Sequence, residues 1–201
     1  MADERIIDTE THPLEPFLPE GAQILMLGSF PPKRDRWSMD FFYPNWINDM
    51  WRILGLVFFN SRDHFAKDGH DSRSFDKEKC ISFGRSIGVA MYDTATEVRR
   101  LKDNASDKFL EVVRPTDISK LLDRLPQCKA IVTTGQKATD TICATYGCTP
   151  PATGSYTELT VNGRSLRFWR MPSSSRAYPM KLEKKAEFYR TMMMTERLIQ
   201  E

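Results

Sequence analysis

The stretch ILMLGSFPPKRDRW, residues 24–37, joins a short apolar run to a rigid and charged loop. The run is typical of a strand that is buried on both faces inside a parallel sheet. It ends at Gly28, after which two prolines and several charged residues follow. Because ligands bind beyond the carboxyl ends of parallel strands, this junction predicts an α/β protein with a binding site at the end of the strand.

The rest of the chain alternates predicted strands with predicted helices. Further strands are predicted at 88–93, 129–135, 156–163 and 164–171. Asn162-Gly163 predicts a hairpin turn between the last two. Helices are predicted at 47–57, 74–88, 115–127, 136–147 and 181–201, and segment 94–114 is interpreted as a short helix and a loop. This order predicts a three-layer α/β/α sandwich with a central, mainly parallel four-stranded sheet.

Length and composition fit one soluble domain, with 201 residues of which 40% are apolar and 28% charged. Residues 1–21 contain three prolines and no periodic pattern, so we predict an extended N-terminal arm at 1–21 and a single domain at 22–201. The acidic start MADERIIDTE and the lack of an apolar run of about 20 residues argue against a signal peptide and a membrane span. We expect a cytoplasmic monomer without membrane contact.

The usual sequence signatures of metals and cofactors are missing. Cysteines 80, 128, 143 and 148 form no C-x-x-C pair, and the histidines at 12, 64 and 70 lack zinc-finger spacing. No strand leads into a G-x-x-x-x-G-K-[ST] or G-x-G-x-x-G loop, and there is no G-x-S-x-G elbow. We expect reduced, packed thiols and no metal ion or other cofactor.

The net charge of +2 is unevenly distributed. Residues 164–190 hold eight Lys or Arg and two Glu, which gives +6 there and −4 for the remaining chain. A local excess of cations favours a polyanionic partner. Lysines and arginines are equally common on solvated helix faces, so charge alone leaves both interpretations open.

Four loops follow predicted strand ends, at 28–31, 92–94, 134–136 and 171–176. Together with the segment after the first loop, they combine small or rigid residues with aromatic and cationic side chains. Small residues let a phosphate backbone approach their N–H groups, and aromatic rings stack on bases. This combination favours a nucleic acid over a metabolite, although some of these aromatic residues would pack in the core.

Four segments in the order GSFPP…FFYPNWINDMWRILG, GVAMYDTATEVRR, KAIVTTGQKA and MPSSSRAY resemble the uracil-DNA glycosylase superfamily over residues 22–195. The similarity is greatest to its branch of hypoxanthine (deoxyinosine) DNA glycosylases and their relatives. The resemblance implies a protein that flips a deaminated base, hypoxanthine or uracil, out of DNA and hydrolyses its N-glycosidic bond without a cofactor. Its partner would be DNA that contains a damaged or mispaired base.

The residues that would act differ from the usual pattern of the superfamily. Its first motif usually has Asp or Asn where this chain has Phe30, and its last motif usually has His where this chain has Met171. The hypoxanthine branch shares such departures and has an Asn before a helix-opening Trp, which implies a catalytic role for Asn48, with Asn45 as a competitor. Asp93 is the second catalytic candidate, because a carboxylate can accept from a base or activate water. Helix capping is the alternative for these residues.

The other site residues follow from position and resemblance. Predicted base-binding residues are Phe30, Phe42, Tyr43, Asn45 and Tyr92. Predicted DNA-binding residues are Ser29, Pro31, Lys33, Arg34, Gln136, Ser173, Ser174, Ser175, Arg176 and Tyr178. Either Arg176 or Tyr178 would enter the duplex, and no lysine is indicated as a Schiff-base nucleophile. The rival hypotheses are a non-catalytic nucleic-acid-binding or damage-sensing protein and, with less support, a small-molecule hydrolase.

Overall fold

The computed structural model describes residues 8–68, 72–102 and 107–199. The strands of these ranges are β1 (Thr9–Thr11), β2 (Ile24–Gly28), β3 (Val89–Asp93), β4 (Ala95–Arg100), β5 (Leu110–Pro115), β6 (Ala130–Thr134), β7 (Ser155–Val161) and β8 (Arg164–Met171). The helices are α1 (Met50–Phe59), α2 (Lys77–Ser86), α3 (Ile118–Asp123), α4 (Gln136–Tyr146) and α5 (Leu182–Thr195).

The central sheet has the strand order β3-β2-β6-β8-β7. β2 pairs in parallel with β3 and β6, and β6 pairs in parallel with β8. Every residue of β2, β3 and β6 is buried, as expected for the interior of a parallel sheet. Gly28 lies opposite Asp93, and Thr134 lies opposite Met171. The four predicted strand ends therefore meet at one edge of the sheet.

The prediction of a four-stranded sheet was wrong, because the fifth strand β7 joins the same sheet. It pairs antiparallel with β8 over its whole length. The turn uses Asn162 and Gly163, whose φ angles of 48° and 78° are those of a tight hairpin. The short turn makes β7 the edge strand next to β8.

The interpretation of 94–114 as a helix and a loop was also wrong, because this segment supplies two strands. β1, β4 and β5 form an antiparallel sheet in which β4 is central. Val98 and Leu110 of this sheet pack with Phe30 and Ala95 in a separate apolar cluster. The strands of this sheet contain few apolar and many charged residues, because only a small part of the sheet surface is buried. The sequence therefore shows no clear strand pattern here.

The predicted helices are present with different bounds: α1 is shifted toward the C-terminus, and the other four are shorter than predicted. Asp76 and Asp117 begin α2 and α3 by accepting hydrogen bonds from the amides of Lys79 and Lys120. α1 packs against α5, while α2, α4 and α5 contact β3, β6 and β8 respectively. The three-layer arrangement of these helices around the sheet stays a prediction that the parallel topology favours.

The N-terminal segment is hydrogen-bonded to both sheets. β1 pairs with β4, and Phe17 exchanges two backbone hydrogen bonds with Met91 of β3, at 3.0 and 2.8 Å. The domain boundary at residue 21 stays a prediction. Over the described residues, none of the helices combines the length and the apolar character that crossing a bilayer requires.

Candidate active site

The carboxyl edge of the central sheet opens into a cavity of about 710 Å³. This volume is in the usual range for sites that bind small molecules or single groups of a larger ligand. The predicted site residues that line it are Ser29, Phe30, Pro31, Phe42, Tyr43, Asn45, Asn48, Asp93, Gln136, Ser173, Ser174, Ser175, Arg176 and Tyr178. The fold thus brings together most of the residues that the sequence analysis selected.

Three of the predicted residues lie elsewhere. Lys33 and Arg34 line a second cavity of about 290 Å³, where Arg34 covers the ring of Trp37 and pairs with Asp40 at 2.7 Å. Tyr92 is buried beside His12, with ring centroids 4.5 Å apart, and does not line the large cavity. A direct base contact by Tyr92 therefore lacks support from the geometry.

Asp93 projects into the cavity from the end of β3. Its Oδ2 lies 2.8 Å from Nε2 of His12, and 11% of its side chain is exposed. Its Oδ1 occupies the space beside Gly28, where a Cβ on that residue would overlap it. Glycine is therefore required at the end of β2, because the Asp93 carboxylate of the neighbouring strand fills the space beside it. Since His12 holds Oδ2, Oδ1 is the carboxylate oxygen that can face the cavity.

The Gly28→Ala variant should displace the Asp93 carboxylate. We expect a loss of about 1–3 kcal/mol in the free energy of unfolding, measured with urea, because the added methyl group overpacks the site. In an Asp93→Ala background the two nearest atoms, Oδ1 and Cγ of Asp93, are absent, and the next nearest is Thr134 Oγ1 at 3.9 Å, an ordinary contact. The cost of Gly28→Ala should then largely disappear, and an equal cost in both backgrounds would contradict this account.

Asn48 and Asn45 occupy the turn that leads into α1. The Oδ1 of Asn48 accepts from the Met50 amide at 2.9 Å, and the Oδ1 of Asn45 accepts from the Ile47 amide at 3.1 Å. Asn48 thus satisfies the amide of the first residue of α1, as the capping interpretation expects, although the N-cap position itself is Asp49. Asn45 closes a turn before the helix begins, so helix capping does not describe it. In the part of the chain that the structure describes, neither Nδ2 has a hydrogen-bond partner, so each amide can still donate into the cavity.

Tyr43 holds an unusual backbone conformation at the cavity wall. Its φ of 53° is rare for a residue with a side chain, and such conformations persist where the surroundings enforce them. Its hydroxyl lies 3.3 Å from Thr134 Oγ1. Burial raises the pKa of the Tyr43 phenol well above its ordinary value, and the charge of Asp93 adds to this. Tyr43 therefore stays a neutral hydrogen-bonding group.

Phe30 and Met171 are the two positions at which the sequence resemblance expects catalytic side chains. Phe30 is 8% exposed and packs beneath the small sheet, with its ring edge-on to His12 at 5.2 Å. Met171 is 1% exposed and belongs to the main core. Neither side chain can activate water, so the polar groups of this cavity come from other positions.

The loop after β8 is tied to the start of α1 by a buried ion pair. Lys185, which is fully buried, donates to Asp49 Oδ2 at 3.0 Å and to the Ser175 carbonyl at 2.8 Å. Arg176 approaches Asp49 Oδ1 at 3.3 Å, and the Asp49 amide donates to the Ser174 carbonyl. The predicted insertion of Arg176 into a duplex would break its contact with Asp49.

The structure describes all of segment 164–190. Several of its cationic side chains stabilise the fold by binding carbonyls or carboxylates of the protein itself. Arg164 donates to four backbone carbonyls in and just after α3, and Arg167 pairs with the buried Glu196 at 2.7 Å. Lys185 is buried and Arg190 donates to the Leu56 carbonyl. Arg176 alone of the eight lines the large cavity. The charge excess of this segment therefore does not mark the site.

Sequence reasoning missed two groups at this site. His12 was assigned only to the arm, and Lys137, the second residue of α4, lines the cavity. The Lys137 carbonyl accepts from the Thr141 hydroxyl, but its side chain has no hydrogen bond or ion pair within the described ranges. The sequence could have indicated Lys137, because it lies two residues after Gly135, where a strand was predicted to end. No residue near His12 in the sequence indicates that His12 contacts Asp93. Residues 8–68, 72–102 and 107–199 contain no cluster of His, Cys, Asp or Glu arranged for a metal ion.

Comparisons with known proteins show a similarity in fold. No family model matches this chain, and no curated protein matches it significantly. Among solved structures, the solution NMR structure of a candidate uracil DNA glycosylase from Methanosarcina acetivorans is similar, with a TM-score of 0.58 and 19% sequence identity. The match covers 90% of this chain and 98% of that chain. The protein therefore has a mixed α/β fold of the kind found in that structure.

Proposed function

We propose that this protein is a DNA glycosylase that flips a deaminated base, hypoxanthine or uracil, out of DNA and hydrolyses its N-glycosidic bond. The observation that carries the proposal is the large cavity at the carboxyl edge of the sheet, where Asp93, Asn48 and Tyr43 converge among small and aromatic residues. The similarity in fold to a candidate uracil DNA glycosylase supports it. Flipping gives an enzyme access to a bond that the duplex encloses.

The reaction needs a group that accepts a proton from water. Asp93 Oδ1 takes this proton while the water oxygen forms a bond to C1′ of the sugar. The C1′–N bond breaks, and its electron pair leaves with the base, which then takes up a proton from solvent. The free amide of Asn48 positions the water or supports the positive charge that develops on the sugar. The product is an abasic site in an intact strand.

Base recognition would use the neutral hydroxyl of Tyr43 and the amide of Asn45. Uracil and hypoxanthine both present a carbonyl next to an N–H, so a group that can donate and accept suits either base. Phe42, which is 4% exposed, supplies an apolar wall for stacking. These contacts do not discriminate between uracil and hypoxanthine. The depth of the pocket that the base occupies would do so.

Phosphate contacts are best supplied by Ser173 and Ser175. The hydroxyl of Ser173 accepts from the Ser175 amide, and the hydroxyl of Ser175 accepts from the Ala177 amide, so both protons remain available. Ser174 is only 4% exposed, and the hydroxyl of Ser29 donates to Asp107 at 2.9 Å. Ser173 and Ser175 are therefore better placed than the other predicted serines.

The function is tested with oligonucleotides that carry uracil or hypoxanthine, single-stranded and in each mispair, followed by alkali. We expect alkali-labile sites that disappear with Asn48→Ala and persist with Asn45→Ala, the matched change three residues earlier. Base release that depends on Asn45 instead would reverse the assignment of the two residues. Binding without any alkali-labile site would favour the non-catalytic hypothesis, and a small-molecule hydrolase would show no salt-sensitive DNA binding.

Replacing Lys137 by alanine should weaken DNA binding almost equally for all sequences. If the cavity edge contacts about four phosphates, the log–log slope of affinity against salt is about −0.9 for each contact, and the variant should lose about one such unit. Lys181→Ala is the matched control, because Lys181 is exposed in the cationic segment but lies outside the cavity. A larger effect of Lys181→Ala, measured by fluorescence anisotropy, would refute this placement of the DNA.

A further inference from the structure

A buried histidine lies directly behind the Asp93 carboxylate. His12 follows β1, and its amide donates to the Thr96 carbonyl of β4 at 2.8 Å. Its Nε2 lies 2.8 Å from Asp93 Oδ2, and only 2% of its side chain is exposed. The pairing of β1 with β4 therefore places this imidazole, which belongs to the N-terminal segment, next to the end of β3.

The hydrogen bonds of the imidazole define which nitrogen carries the proton. Nε2 faces the Asp93 carboxylate, which can only accept, so Nε2 carries a proton. In a neutral ring Nδ1 then accepts from the Leu14 amide at 3.1 Å. The Leu14 carbonyl lies 2.9 Å from the same Nδ1 and would accept from it if the ring were protonated. The Nε2–H therefore donates to Asp93 in either state of the ring.

Aromatic rings hold the imidazole in this orientation. Phe30, Tyr92 and Phe42 surround it with ring centroids at 5.2, 4.5 and 6.4 Å. On the outer side of Phe30, Arg100 covers the ring and pairs with Glu10 at 2.9 Å. Phe30 therefore has a structural role at this position, because its ring packs against the His12 imidazole.

The order of the two groups differs from that of a serine hydrolase triad. There the imidazole faces the substrate and a buried carboxylate lies behind it. Here the carboxylate lines the cavity and the imidazole is buried behind it, so His12 cannot touch a ligand. The free end of the pair is Asp93 Oδ1, which lies beside Gly28, has no hydrogen-bond partner among the described residues and is not fully buried.

We infer that His12 is a positioning residue that holds Asp93 Oδ2 by its Nε2–H and so makes Oδ1 the oxygen that accepts the proton of the attacking water. This inference rests on the proposed glycosylase function. The water proton moves to Oδ1 as the bond to C1′ forms, and His12 keeps its own proton throughout. Residues 9–14, which sequence reasoning placed in an arm, are then part of the active site.

The test compares His12→Ala, His12→Gln and Asp93→Asn, together with the double variant His12→Ala/Asp93→Asn. Single-turnover rates of base release and DNA affinities are measured separately. His12→Ala should slow base release about 10- to 100-fold. This is less than the ~10²–10⁴-fold that a positioned general base contributes, because Asp93 itself remains. DNA affinity should stay nearly unchanged, and His12→Gln, which keeps an N–H donor, should recover most of the rate. His64→Ala, at a histidine stacked on Phe59 outside the cavity, is the control.

The double variant separates positioning from simple loss of structure. If His12 acts through Asp93, His12→Ala should have no further effect on the rate in the Asp93→Asn background. An equal loss in both backgrounds, or a loss confined to DNA affinity, would overturn the inference while the glycosylase function stands. Wild-type protein that releases no base from any oligonucleotide would overturn the proposed function and this inference with it.

Discussion

The Asp93→Asn variant should release a deaminated base about 10²- to 10⁴-fold more slowly than the wild-type protein. Asparagine has the same shape, and its one side-chain oxygen can take the place of Asp93 Oδ2 and accept from His12, so the fold should be retained. It cannot take up the proton of the attacking water, so the loss should appear in the single-turnover rate. DNA affinity should be equal or slightly higher, because a negative charge leaves the cavity.

Asp107 provides a matched comparison for Asp93. It lines the same cavity, but its carboxylate accepts from Ser29 and lies at the start of a turn rather than beside His12. Asp107→Asn should slow base release less than about tenfold, since it removes a cavity charge without removing the proposed base. Equal losses in the two variants would show that the general charge of the cavity matters and that Asp93 has no special role.

Replacing Lys185 by methionine should lower the free energy of unfolding by about 3 kcal/mol in urea experiments. Methionine fills the space of the lysine stem but leaves Asp49, whose side chain is 8% exposed, without its buried partner. Arg176 still approaches the same carboxylate, but its side chain is 49% exposed, so it compensates only in part. The Ser175 carbonyl also loses a donor, which should loosen the loop at the cavity edge.

Lys184→Ala is the control for this prediction. Lys184 precedes Lys185 on the same helix, and its pair with Glu187 is exposed on both sides, so its removal should cost less than about 1 kcal/mol. A double variant, Lys185→Met with Asp49→Leu, removes both buried charges and should recover part of the stability. The account fails if Lys185→Met is no less stable than Lys184→Ala.

Much of the central sheet could be predicted because its signals are local. β2, β3 and β6 are short apolar runs that are buried at every residue, and parallel strands place their carboxyl ends together without further information. The small sheet could not be predicted in the same way. Its strands are largely charged, and their pairing depends on the contact of Val98 and Leu110 with Phe30, which is distant in sequence.

The candidate site shows the same division. Asn48, Tyr43 and the serines after β8 lie in loops that follow or precede recognisable elements, so their approach to one cavity could be expected. The charge excess in 164–190 fitted either a surface for a polyanion or a solvated helix face, but several of these side chains instead bind carbonyls or a buried carboxylate. A cation count cannot distinguish such uses, because the partners are far away along the chain.

By itself the sequence determined the parallel strands, the edge at which they end and most of the residues that gather there. These features depend on hydrophobic pattern and on glycine, proline and asparagine at fixed local positions. Only the tertiary structure decided that Gly28 makes room for the Asp93 carboxylate and that His12 holds its other oxygen. The physical reason is that this pair joins residues 81 positions apart through the pairing of β1 with β4, and no local pattern encodes such a contact.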